Sequence, residues 1–221
     1  MEQEVKSTLE KPRLIKMFWS PGEQFDRIRQ NPRIWVPLII VSIVYSIGMY
    51  LMTLSMDASY LGLEEMSEEE IAMVMAFSKV SVAVTGILTP VFVVLISSAI
   101  YLIFTKIAGS DVKFKQLFSM NTHIMIIGAV GLVLNMALRA AIGGNPEVFI
   151  TSLAGLVNSE KAGVLGSIEV FSIWQTVLTA IGLHRVAGLS KGWAWGIAIV
   201  FFLIGIGFAI LGAMFSNVMG V

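Results

Sequence analysis

The chain has 221 residues, of which 56% are hydrophobic and only 14% charged, with a mean hydropathy of +0.83. Soluble domains carry about 25% charged residues, so this composition excludes an ordinary water-soluble globule and points to a bilayer as solvent. Fifteen basic and fifteen acidic side chains cancel, which argues against nucleic acid as a partner, and the lack of cysteine excludes disulfides, thiolate metal sites and thiol nucleophiles.

Residues 1–33 are mostly polar and basic. No removable leader is expected, because the first apolar run starts late and is long. Ser20-Pro21-Gly22-Glu23 reads as a helix start, with Ser as cap, Pro at the first helical position and Glu at the third. The short helix to about Gln30 puts Phe25 and Ile28 on one side, with Asp26, Arg27 and Arg29 around the rest. Upstream, Leu14, Ile15, Met17, Phe18 and Trp19 add apolar bulk among basic residues. Such a segment suits the surface of an anionic inner leaflet. Trp19, Phe25, Arg27, Arg29 and Arg33 are then the candidate lipid contacts; the plainer reading is a topological anchor.

A helix needs about 20 apolar residues to cross the hydrocarbon core. Five stretches are predicted to do so: 34–56, 80–104, 118–138, 168–183 and 193–215. The second contains Pro90, and the third has Asn121, Thr122 and His123 near its start. The fourth is the shortest and most polar, with Glu169 and Gln175, and has a re-entrant or interfacial helix as its alternative. The fold class is therefore all-α and polytopic, a five-helix membrane domain over 34–215 with an outer tail at 216–221.

Three connecting segments carry signals of their own. Ser67-Glu68-Glu69-Glu70 is a capping box, from which helix runs directly into the second span. With Glu64 and Glu65 it is either a cation or basic-partner site or a solvated helix start. In the third loop Asn145-Pro146-Glu147 predicts a short amphipathic helix through Val157, with Val148, Phe149, Leu153 and Leu156 as its apolar stripe.

Orientation follows from Lys and Arg in the loops. With the N-terminus in the cytoplasm, the inner side carries twelve and the outer side three. The bias alternates loop by loop, which an even number of spans would scramble, so the C-terminus is expected outside.

Ionisable groups within spans are functional candidates by default, and here they are few. Arg139 and Glu169 fall at the same outer level, where an ion pair is expected. Asn135 and Gln175 lie deeper and suit hydrogen bonds to another helix. No His-Glu-x-x-His, paired intramembrane carboxylates, nucleophile elbow or P-loop occurs, so neither catalysis nor ATP hydrolysis is expected. No catalytic residue, metal or cofactor is assigned. Small residues are better represented: Gly205, Ala209 and Ala213 at four-residue spacing, Ser81, Thr85 and Thr89 in one row, and Gly128, Ala129 and Gly131 together. Such faces let helices approach closely, inside the bundle or against another protein. Trp193 and Trp195 are expected to be interfacial anchors.

Three stretches resemble one family. Phe18-Trp19-Ser20-Pro21-Gly22-Glu23-Gln24-Phe25-Asp26-Arg27-Ile28, followed by Asn31-Pro32 and Trp35-Val36-Pro37-Leu38, resembles the N-terminal motif of bacterial members of the Yip domain family of five-span integral membrane proteins. Phe114-Lys115-Gln116-Leu117-Phe118 is similar to the central loop of that family. Phe171 to Leu178, including Trp174, then Gly182-Leu183 and Leu189-Ser190-Lys191, is similar to its fourth-span signature. Pro21, Phe25, Trp174 and Gly182 are the motif residues. The resemblance implies a helical membrane adaptor without established catalytic residues. One bacterial type within the family accompanies an ABC exporter and is linked to protection against a secreted peptide toxin.

The leading expectation is a non-catalytic accessory protein of the cell membrane. Its partners would be membrane lipids, ABC transporter subunits or other membrane proteins, and second copies of itself. The alternatives are a small transporter or channel built on Glu169, Arg139, Asn135 and Gln175 around a cavity, and a lipid-organising protein.

Overall fold

The computed structural model describes residues 10–54, 62–63 and 66–219, side chains excepted at 213 and 216–219. The expected end of the first span, the Glu64–Glu65 cluster, the tail beyond 219 and the side chain of Ala213 lie outside that description. Among the described residues every regular element is helical. A 3-10 turn, Ile15–Phe18, precedes α1 (Pro21–Gln30), α2 (Trp35–Thr53), α3 (Glu68–Ile107) and α4 (Phe114–Ile142). Two single-turn helices follow, α5 (Leu153–Leu156) and α6 (Gly163–Gly166), then α7 (Val170–Arg185) and α8 (Lys191–Met219).

Four of these, α2, α3, α4 and α8, are long and apolar enough to cross a membrane. The expected fourth span, α7, has 16 residues. At 1.5 Å per residue that is about 24 Å, against a hydrocarbon core of about 30 Å. The predicted run into the second span is present: α3 is one helix of 40 residues through Pro90. At about 60 Å it is about twice as long as the bilayer core is thick. Ser67 Oγ accepts from the Glu70 N–H, while the Glu70 carboxylate accepts from the Ser67 N–H at 3.0 Å. These bonds, the side-chain bond from Ser67 first, hold the exposed Glu70 carboxyl below the usual carboxylate range.

The centre of the bundle is α4, packed by α2, α3, α7 and α1. Glycines set the helix spacing. A Cβ on Gly86 of α3 would lie 2.9 Å from the Ser46 Cα of α2, and one on Gly128 of α4 would lie 2.7 Å from the Gln175 amide nitrogen of α7. Close backbone approach of this kind is how helices associate where lipid offers no hydrophobic drive. The Gly128 and Gly131 faces therefore pack inside the chain, on Gln175 and Phe171 of α7.

Two local expectations are corrected. The third loop does not form an amphipathic helix from 145 to 157. Asn145 Oδ1 accepts from the Glu147 N–H at 2.8 Å, as a helix cap would, but the chain turns at once, with the Val148 N–H on the Asn145 carbonyl. Only Leu153–Leu156 is helical, and the intended stripe splits: Val148 is buried and Leu156 exposed. Two backbone bonds, Leu153 N to Ile168 O and Val170 N to Thr151 O, tie this loop to the start of α7 instead. At α1, Ser20 occupies the cap position without a side-chain cap bond; Glu23 is drawn to Arg27.

Candidate functional site

The sequence-predicted polar residues fall into two places. At one end of the bundle, Asn135 is fully buried on α4. Its amide donates to Gly131 O at 2.9 Å and Thr151 Oγ1 at 2.8 Å, and its Oδ1 accepts the Thr151 N–H at 3.1 Å. Glu169 caps α7, accepting from the Ser172 N–H at 2.9 Å and the Thr151 hydroxyl at 2.5 Å. Asn135, Thr151 and Glu169 thus form one hydrogen-bonded cluster that fixes the origin of α7. Arg139 does not join it. Its Nε donates to Val148 O at 2.8 Å and its Nη1 to Gly143 O at 3.2 Å. The expected Arg139–Glu169 ion pair is absent because the carbonyls at the end of α4 and in the following turn need donors, and Glu169 is already satisfied.

The second place is a cleft of about 540 Å³ between α3, α4, α7 and α8. Of the four residues expected around a cavity, only Gln175 lines it; Gly205 of the small-residue row lines it too. Its polar groups are uncharged: Ser97 and Asn121, which bond each other at 3.1 Å, with Thr176, Thr179 and Gln175. Among the described residues no acidic or basic side chain lines it, nor a histidine. At one end the rings of Tyr101 and Phe104 meet Phe201 edge-on, with centroids 4.9 and 5.6 Å apart, joining α3 to α8. A Cβ on Gly205, Gly207 or Gly212 would meet nothing within 4 Å. The Gln175 amide reaches across Gly128 into this space without a hydrogen-bond partner among the described residues.

The motif residues converge although about 150 positions separate them. Phe18 packs edge-on against Trp174, centroids 5.5 Å apart. Phe25 lies beside Gly182, where a Cβ would stand 3.2 Å from its ring and 2.7 Å from Met120 Sδ. Asp26 accepts from Arg185 Nη1 at 2.6 Å, and Arg29 Nη1 donates to Arg185 O at 3.4 Å. So α1 docks onto the C-terminal half of α7. This corrects the expectation for Phe25: it is fully buried with Met17 and Ile28 in the protein core, not in lipid. Arg27 pairs with Glu10 and Glu23. Trp19 and Arg33 remain available, Trp19 at 65% exposure.

This dock, from the 3-10 turn to α7, lies wholly within residues 15–214, and a Yip1 domain family model matches that span. The chain belongs to the Yip1 domain family. It is also 34% identical to Membrane protein YknW of Bacillus subtilis (strain 168), over all of this chain and 98% of that protein. No solved structure matches it. Family, relative and apolar helices together are those of a membrane protein, consistent with several passes. Within the Yip1 domain, reasoning from sequence missed Ser97, Thr176 and Thr179 as cleft residues. Their signal was hydroxyl side chains within apolar runs, which also bond their own helix, as Thr179 does to Gln175 O.

Proposed function

We propose that this chain is a non-catalytic membrane adaptor whose α3–α8 cleft receives a helix of a partner membrane protein. The observation that carries the reading is the half-buried Gln175 amide, which makes no hydrogen bond among the described residues and lies in a cleft whose other described polar groups are uncharged. An unmade hydrogen bond at membrane depth is costly, and side-chain amides hydrogen-bond across helices there. Gly205, with open space before it, allows a backbone to come close. A transporter would want charged groups along its path. Glu169, Arg139 and Asn135 instead have their bonds outside the cleft, which favours the adaptor over the channel.

The partner we propose is the membrane subunit of an ABC-type exporter, with defence against a toxic peptide as the setting; this rests on the family resemblance. We also propose that α7 completes five crossings, with the N-terminus cytoplasmic and the C-terminus outside. The twelve-to-three distribution of Lys and Arg supports that orientation. Co-purification in mild detergent with ABC exporter subunits of the same organism tests the function. Recovery of both proteins together, lost on Gln175→Leu, is expected; monomer alone, with no phenotype on deletion, refutes it.

A further inference from the structure

A second cavity, of about 850 Å³, lies where the N-terminal segment meets the start of α2 and shares no residue with the α3–α8 cleft. Five cations stand around it: Lys11, Arg13, Lys16, Arg33 and Lys115. They come from three separate parts of the chain. Among the described residues no carboxylate pairs with any of their side chains; Glu10, the adjoining acid, is taken by Arg27. Among the described residues the positive charge of the pocket is thus unpaired, and its floor is apolar. Ile15, Trp19, Trp35 and Ile40 line it, with Trp35 77% exposed. Val36 and Ile39 continue the same exposed apolar surface along α2.

This pairing of chemistries selects one kind of occupant. A free phosphate would use the cations and leave the indoles and aliphatic wall in water. A neutral lipid would use the wall and leave five cations unneutralised. We infer that the pocket binds an anionic phospholipid, its phosphodiester among the five cations and its acyl chains along Trp35 and Ile40 of α2. The position supports this, because the pocket sits at the first turns of a helix able to span the bilayer. Indole rings favour that depth, and basic side chains beside a span attract anionic headgroups. The fold builds the site by docking α1 on α7. The Gln24 Oε1 bond from the Arg13 N–H, 2.9 Å, holds the upstream strand of chain over α1, and the Ser119 hydroxyl on Arg33 O, 2.7 Å, holds Arg33 near Lys115.

The test is retention of added lipid by the full chain in mild detergent, read by native mass spectrometry. One palmitoyl-oleoyl phosphatidylglycerol is expected to remain bound under conditions that strip palmitoyl-oleoyl phosphatidylcholine. Arg13→Ala/Arg33→Ala/Lys115→Ala changes three exposed side chains and leaves the helix contacts in place. Each cation near an anionic surface is worth about fivefold, so retention is expected to fall roughly a hundredfold. The control, Lys79→Ala/Lys106→Ala/Lys191→Ala, makes the same charge change elsewhere and is expected to retain the lipid. Equal retention of the two lipids, equal loss in the control, or full displacement by inorganic phosphate at equal concentration would each overturn the assignment.

Discussion

Replacing Phe25 with alanine separates a docked α1 from one lying on lipid. The ring is fully buried beside Gly182 and Met120. A buried Phe→Ala change costs about 3–5 kcal/mol. The lower end applies here, because the flexible Met120 side chain fills part of the gap. About 3 kcal/mol is roughly a 150-fold shift in the opening equilibrium of α1. The chain has no cysteine, so Ile28→Cys, at another fully buried position of α1, gives a single reporter thiol. Its maleimide labelling in detergent reports how often α1 opens. Phe25→Ala in that background is expected to raise the labelling rate by about two orders of magnitude, and Phe25→Leu by about tenfold or less. A change under threefold would show that the ring faces lipid and that the dock on α7 is wrong.

Other perturbations have equally definite outcomes. Asn135→Leu keeps the size but strands the Thr151 N–H, at a cost of about 2 kcal/mol; thermal unfolding followed by circular dichroism should show it, while Arg139→Leu should leave the Asn135–Thr151–Glu169 cluster intact. Gly86→Val drives a side chain against the backbone of Ser46 and should cost more than 2 kcal/mol; an unchanged melting temperature would mean that α2 and α3 are not in contact there. The folded pKa of Glu70 is depressed, so its support of the α3 start is present above the ordinary carboxylate range and is lost as pH falls through the lowered value. Amide exchange in the first turn of α3 should therefore quicken on acidification, and Glu70→Gln should remove that pH dependence.

Much of this architecture is legible in the chain. The capping box at Ser67 and the apolar run behind it specify α3 almost residue by residue, because cap chemistry is local. Where local chemistry allows two continuations, the reading fails. The same Asx bond that starts a helix at Asn145 also makes a turn, and the backbone pairing of Ser152 with Glu169 decides for the turn. An apolar stripe on α1 looks the same whether lipid or α7 covers it; that Phe25 meets Gly182 depends on the whole path of the chain. Glu169 reads from the sequence as a polar group at the start of α7, but its partner is set by Thr151, whose position only the loop determines. The uncharged cleft left the faintest trace, since each of its hydroxyls reads as ordinary polar content within an apolar helix. The small-residue row of α8 reads as a face for close helix contact, yet at Gly205 it opens onto that cleft instead of packing within the chain.

The adaptor reading turns on what occupies the space in front of Gly205. A Gly205→Cys variant of the cysteine-free chain, treated in membranes with a short thiol-to-thiol crosslinker after single cysteines are introduced along each span of the proposed partner, an ABC exporter permease of the same organism, gives the direct measurement. Crosslinks that recur every three to four residues along one permease helix, and that disappear with Gln175→Leu, are the predicted result. Crosslinking to no permease position, with Gly205→Cys instead reacting freely with a water-soluble maleimide from both sides of the membrane, would contradict the adaptor and establish an aqueous path.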